Sequence, residues 1–220
     1  MEGRREAPPG AEGTEAVYDR IATAWAATRR GPWPEVLEFL KGLKRPARVA
    51  DVGVGAGRYL GVREAEGLWV VGLDRSRGQL AEAKRVGGAR GGLLRADARA
   101  IPLRDASVEG LLCIAVVHHL KAREERVAMM REVGRVLRPG GGALLSGWGT
   151  HAKAFEGARR AEGGGPQDFL VPFKEGLATP AWRFFHAYGE GELAAEAGDA
   201  GLKVRREWEG GENRFLEVER

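Results

Sequence analysis

The chain is nearly devoid of cysteine. Cys113, set inside an apolar run, is the only one in 220 residues. A lone thiol excludes an intrachain disulfide and any multi-cysteine metal site, and the expected compartment is the reducing cytoplasm. Aromatic residues are sparse at 7%, and no apolar run approaches the ~20 residues of a membrane-spanning helix. No secretory signal pattern is read at the N-terminus. Neither sign of charge dominates: 35 Lys and Arg stand against 31 Asp and Glu, so a net +4 hints only mildly at an anionic partner. The remainder, 43% hydrophobic and 30% charged, is ordinary for a globular protein long enough for one α/β domain. Residues 1–14 are polar and carry Pro8-Pro9-Gly10, so a disordered tail is expected there, with residues 15–220 as a single domain.

Glycine, by contrast, is abundant, and its placement is informative. Ala50-Asp51-Val52-Gly53-Val54-Gly55-Ala56-Gly57 follows an apolar run and reads as a strand ending in an acid and a tight turn. The spacing G-x-G-x-G, at Gly53, Gly55 and Gly57, differs from the G-x-G-x-x-G that cradles a pyrophosphate. Asp51 before the turn suits a ligand with a cationic end, which points to S-adenosylmethionine and its ammonium and sulfonium. Two further strands end in acids. Asp74 is placed to accept hydrogen bonds from ribose hydroxyls, and Asp97, followed by Ala98, to accept from an adenine amine. One such Asp is more simply a helix cap. Three in succession, with the glycine turn, favour the cofactor.

The periodicity predicts helices over 17–28, 35–43, 58–66, 76–86, 123–137 and 190–200. Strands are predicted over 48–52, 69–73, 92–96, 108–115 and 143–146, with a hairpin of 203–208 and 214–218. This alternation gives a doubly wound, seven-stranded, mostly parallel α/β sheet, Rossmann-like in the manner of class I methyltransferases, with an antiparallel C-terminal hairpin. Residues 148–188 have weak periodicity and are rich in Gly, Pro and aromatics, so they read as a lid or substrate insertion.

The tip of the fourth strand, Cys113-Ile114-Ala115-Val116-Val117-His118-His119-Leu120, carries no Asn/Asp-Pro-Pro-aromatic motif and no Asp. Amino methylation of adenine or cytosine, and a hydroxyl acceptor that needs charged activation, are both disfavoured. Chemistry needing two cysteines is excluded. Of His118 and His119, one is expected to face the site and the other to be packed, and no metal is assigned.

Several segments together resemble one family. They are Val17-Tyr18-Asp19-Arg20-Ile21-Ala22, Thr28-Arg29-Arg30-Gly31-Pro32-Trp33-Pro34, the His118-His119 tip and Arg135-Val136-Leu137-Arg138-Pro139-Gly140-Gly141. Gln167-Asp168-Phe169-Leu170-Val171-Pro172-Phe173-Lys174 and Arg183-Phe184-Phe185-His186-Ala187-Tyr188 complete the set. The chain resembles the tRNA wobble-uridine carboxymethyl methyltransferases, which include the methyltransferase domain of AlkB-homologue fusion proteins. Arg214, after Asn213, departs from the Trp expected there. The resemblance implies methylation of the carboxylate of 5-carboxymethyluridine in the tRNA anticodon loop, giving a methyl ester. It implies Arg29, His118 and His186 as positioning groups, and Trp33, Asp168 and Lys174 as substrate contacts. It also implies Tyr18, Arg29 and Ala115 at the cofactor, and a small zinc-binding activator protein on the third-strand edge at Gly92, Leu93 and Leu94. The alternatives are a small-molecule methyltransferase of the same fold and a non-catalytic RNA-binding scaffold.

Overall fold

Apolar residues at helical spacing build α1 (Thr14–Ala27), which buries Val17, Ile21 and Ala22. Pro34, pre-set for a first helical turn, opens α2 (Pro34–Gly42). Near-continuous apolar runs, the mark of strands covered on both faces, form β1 (Ala47–Val52), β2 (Leu68–Asp74) and β4 (Val108–Ile114). The Ser76 side chain accepts from the Gln79 N–H and so caps α3 (Arg77–Arg85). Next come β3 (Leu93–Arg95), α4 (Arg123–Val136) and β5 (Leu137–Trp148), and α5 (Glu192–Asp199) precedes the two last strands. In this computed structural model residues 12–29, 31–61, 67–87 and 91–220 are described.

The main sheet has seven strands in the order β3-β2-β1-β4-β5-β10-β9, where β9 is Lys203–Gly210 and β10 is Asn213–Glu219. The first five run parallel, and β10 pairs antiparallel with both β5 and β9. The expected sheet and hairpin are therefore present. Side-chain alternation along β4 divides the core: Leu111 and Cys113 pack with Met129 and Leu216 on one face, Leu112 and Ile114 with Phe39 and Phe215 on the other. The order reverses between β1 and β4, the place where such sheets open a crevice for ligands.

Three expectations need correction. Residues 55–61 form turns where the helix of 58–66 was predicted, and 62–66 lie outside the described residues. Gly53, Gly55 and Gly57 all have positive φ, which keeps the chain coiled in a loop past the strand end. Second, α1 begins at Thr14, inside the predicted tail, while residues 1–11 lie outside the described residues. Third, residues 148–188 contain a three-stranded antiparallel sheet of β6 (Arg159–Arg160), β7 (Asp168–Phe173) and β8 (Ala181–His186). Both faces of β7 and β8 are largely covered, so no apolar-polar alternation marked them. This small sheet packs on α1 through Val17, Ile21, Phe173 and Ala181, so the two roof the crevice together. Among the described residues no helix is long and apolar enough to cross a membrane.

Candidate active site

Two adjoining cavities lie at the carboxyl ends of the central strands. The larger, about 620 Å³, is lined by the glycine loop, the tips of β2 and β4, and the first helix. The smaller, about 410 Å³, lies between Trp33, Trp148, Phe185 and the β9–β10 turn. They share Tyr18, Trp25, Arg29, Trp33 and Ala115.

The glycine loop reaches the larger cavity through Gly53 and Gly55. At Gly53 φ is +74°, and a Cβ there would fall 2.1 Å from Val116 Cγ2, so only glycine fits. Gly57 lines no part of the cavity. It is spent on helix packing, where a Cβ would meet the Ala83 Cα at 3.2 Å. Asp51 is likewise absent from the lining. It is 2% exposed beneath the loop, with Oδ2 unpartnered, and burial and then the neighbouring Asp74 push its carboxyl up to about 7. A cationic group above the loop would complement it at that depth, acting through the loop rather than by open contact.

Asp74 lines the cavity. Its oxygens accept from the Gly55 N–H and the Ser76 N–H, each at 2.9 Å, which fixes the carboxylate at the strand tip. Burial raises its pKa and the backbone donors oppose the rise. Asp97 and Ala98 also line the cavity. Asp97 is gripped by Arg99 at 2.7 Å and by Arg75 at 3.3 Å, and the Arg99 hydrogen bonds hold its pKa down. Ala115 sits at the end of β4 with φ +59°, a strained conformation for an alanine, held by its N–H donating to Ser146 O and Oγ. Three strand-tip and loop elements thus present carboxylates and backbone around a nucleoside-sized space, and the donor set fits S-adenosylmethionine.

Arg29 faces both cavities. Its guanidinium lies 3.5 Å from the centroid of the Trp25 ring and donates to Thr28 Oγ1. Burial, then the positive charge of Arg58, lower its pKa to about 10, so it stays cationic at neutral pH. Tyr18 donates its O–H to His119 Nε2 at 2.9 Å, and His119 Nδ1–H donates to Phe184 O at 2.8 Å. Burial drives His119 down to about 3, so it is neutral. His118 lines the smaller cavity and is 1% exposed. Its Nδ1 accepts from the Trp148 N–H at 2.9 Å, which leaves the proton on Nε2. Burial first, then His119, hold it well below the ordinary histidine range. His118 is therefore a neutral donor, not a base. Trp33 lines both cavities, edge-on to Phe215.

His186, Asp168 and Lys174 lie outside both cavities. His186 bonds Asp168 Oδ1 at 2.8 Å and Glu192 Oε1 at 2.9 Å, and none of the three lines a cavity. Asp168 also accepts from the Gly165 N–H, and its buried position clamps the insertion to α5. Lys174 is exposed. Within the motif, His186 and Asp168 bond each other, and His186 also bonds Glu192 at the start of α5. Sequence reasoning also missed residues that line the cavities: Trp25, Arg58, Gln79, Trp148 and Phe185. Their signal was aromatic and basic content near the strand tips, which folding alone distinguishes from core.

The His186 clamp carries a pH prediction. Bonds to Glu192 and Asp168 raise the His186 pKa against its burial, so its contribution to stability is full below about 6.5. That contribution is lost as pH rises through the raised folded value. His186→Asn is expected to cost roughly 1.5–3 kcal/mol at pH 6. Melting curves against pH should show the wild-type advantage shrinking above 6.5, with cofactor affinity unchanged.

The family described as "Methyltransferase domain" matches residues 50–145. A protein of Encephalitozoon cuniculi that carries the name methyltransferase is 37% identical over 188 residues, covering 85% of each chain. The chain belongs to the S-adenosylmethionine-dependent methyltransferases. Macaca fascicularis tRNA (carboxymethyluridine(34)-5-O)-methyltransferase ALKBH8 is 40% identical to this methyltransferase over 154 residues. That match covers 67% of the present chain and 22% of the macaque protein, so the methyltransferase spans about a fifth of that relative's length. A chain of the complex between the Haloferax volcanii Trm112 methyltransferase activator and a methyltransferase superposes with TM-score 0.70. It has 15% identity and covers 94% of this methyltransferase and 97% of that chain.

Proposed function

We propose that this methyltransferase esterifies the carboxylate of 5-carboxymethyluridine at the wobble position of tRNA. The observation that carries the reading is the acceptor cavity: aromatic walls at Trp33, Trp148 and Phe185, a neutral donor at His118 and a cation at Arg29. Flat walls suit an extruded base. A carboxylate is ionised at neutral pH and needs no base, which agrees with a histidine that has no free basic nitrogen. S-adenosylmethionine supplies an activated methyl on a sulfonium. Held by the Gly53–Gly55 turn, Asp74 and Asp97, it would supply that methyl to a carboxylate oxygen that needs no deprotonation by the protein. The chain's part is alignment: Arg29 and His118 hold the anion where the cavities meet, and orientation alone supplies on the order of 7–11 kcal/mol in well-aligned reactions. The named macaque relative supports this acceptor.

The reading includes a partner and a cytoplasmic setting. Strand β3 is the sheet edge, with Gly92, Leu93 and Leu94 along it, and Trp69 on the adjoining strand is 59% exposed. An apolar edge invites strand addition by a small zinc-binding activator, and the Haloferax fold neighbour was solved with a methyltransferase activator.

Calorimetry with S-adenosylmethionine, followed by tRNA titration at 50 and 200 mM salt with and without the activator, tests the reading. Tight cofactor binding with tRNA affinity falling steeply with salt is expected. A flat salt response removes the tRNA acceptor and leaves the small-molecule alternative. RNA affinity without cofactor binding leaves the scaffold alternative.

A further inference from the structure

Arg183 is a buried cation with no carboxylate to neutralise it among the described residues. Its side chain lies within β8 at 4% exposure, and neither Nε nor Nη1 has a hydrogen-bond partner. No carboxylate pairs with it among the described residues. It is wedged instead between aromatic rings, with its guanidinium carbon 4.8 Å from the centroid of Trp25, 5.1 Å from Phe185 and 5.5 Å from Phe173. Burying an unpaired charge costs several kcal/mol, which stacking on rings, at about 2 kcal/mol for a desolvated contact, offsets without supplying the missing hydrogen-bond acceptors. Native interiors satisfy such groups almost always, so the exception needs a reason.

The location supplies one. Alternation along β8 puts Arg183 and Phe185 on one face, and Phe185, stacked 4.3 Å from Trp148, is a wall of the acceptor cavity. Trp25, a second of the three rings against Arg183, is a wall of both cavities and carries Arg29. The Arg183 charge is felt at Arg29, His118 and His119, where it opposes further positive charge. A positive field therefore stands behind the aromatic wall, fixed and poorly screened.

We propose that Arg183 is the residue that makes the acceptor site select an anion: its unneutralised charge is complemented only when an acceptor carboxylate enters the cavity beside Arg29. The inference rests on the carboxylate reading above. It adds a direction to the reaction. The substrate acid is attracted, the neutral ester is not, and product release follows from loss of charge.

Arg183→Met and Arg183→Lys, in the full chain with the activator, separate the claims. Affinity is measured for an anticodon stem-loop bearing 5-carboxymethyluridine and for the same stem-loop bearing its methyl ester. Wild type is expected to prefer the acid at least 10-fold, Arg183→Met to lower that ratio at least 3-fold while Arg29, which lines both cavities, keeps the rest, and Arg183→Lys to keep most of it. Arg183→Met should also melt at or above wild type and bind S-adenosylmethionine equally. An unchanged acid-to-ester ratio overturns the proposal. So does unfolding, or a melting temperature lower by more than about 4 °C, roughly 1 kcal/mol for a chain of this size, because the guanidinium then has a structural role. Absence of methyl transfer to the carboxymethyl stem-loop by wild type itself is a different failure, that of the acceptor reading.

Discussion

Gly53→Val weakens S-adenosylmethionine binding by more than 100-fold while leaving the rest of the sheet folded. The new Cβ would lie 2.1 Å from Val116 Cγ2, so Val116 is forced into the space that the ligand needs. The substitution also places a β-branched residue at φ +74°, where an L side chain is strained by about 1–2 kcal/mol. The two effects are separable. Gly53→Ala combined with Val116→Ala relieves the collision but not the strain, so it should recover part of the affinity. Calorimetric titration with far-UV circular dichroism checks both. Near-wild-type affinity in Gly53→Val would mean that the ligand does not approach this turn.

The second large effect lies away from the cavities. Arg126 and Glu196, both nearly fully buried, pair at 2.7 Å, and Tyr188 O–H donates to the same carboxylate at 3.0 Å. Arg126 also donates to the Lys121 carbonyl. The network ties α4 to α5 and to Tyr188, two residues past β8. Arg126→Met leaves the Glu196 carboxylate buried without its cation, which is expected to cost roughly 3–5 kcal/mol. Melting temperature should fall by on the order of 10 °C. Arg126→Met with Glu196→Leu should recover most of that loss, because two apolar groups replace both charges. A double variant no better than the single one would show that Tyr188 or the Lys121 carbonyl carries the energy instead.

Strand ends were legible in the sequence because parallel strands buried on both faces read as unbroken apolar runs. The runs before Asp51 and Asp74 located two such strands, the short Leu93-Leu94 run before Asp97 located the exposed edge strand β3, and the glycine turn located the crevice. The acids themselves were harder to rank. Asp74 lines the cavity, Asp97 shares it with two arginines, and Asp51 sits under the loop. Spacing along a chain gives the strand tip but not the depth of a side chain. The insertion was less legible, since β7 and β8 are covered on both faces and bear no period. His186 and Asp168 were expected at the site because the family resemblance implied them there. In three dimensions they satisfy each other and Glu192. Arg183, three residues before His186, is the one in that motif left unsatisfied, and nothing in a linear pattern tells a paired cation from an unpaired one.

Transfer of labelled methyl from S-adenosylmethionine to tRNA that lacks the wobble ester, with the activator present, followed by mild alkali, is the most direct test of the central claim. Label that is incorporated and then released by alkali is an ester, the predicted result. Label that survives alkali is attached to nitrogen, carbon or an ether oxygen, and would contradict the carboxylate acceptor.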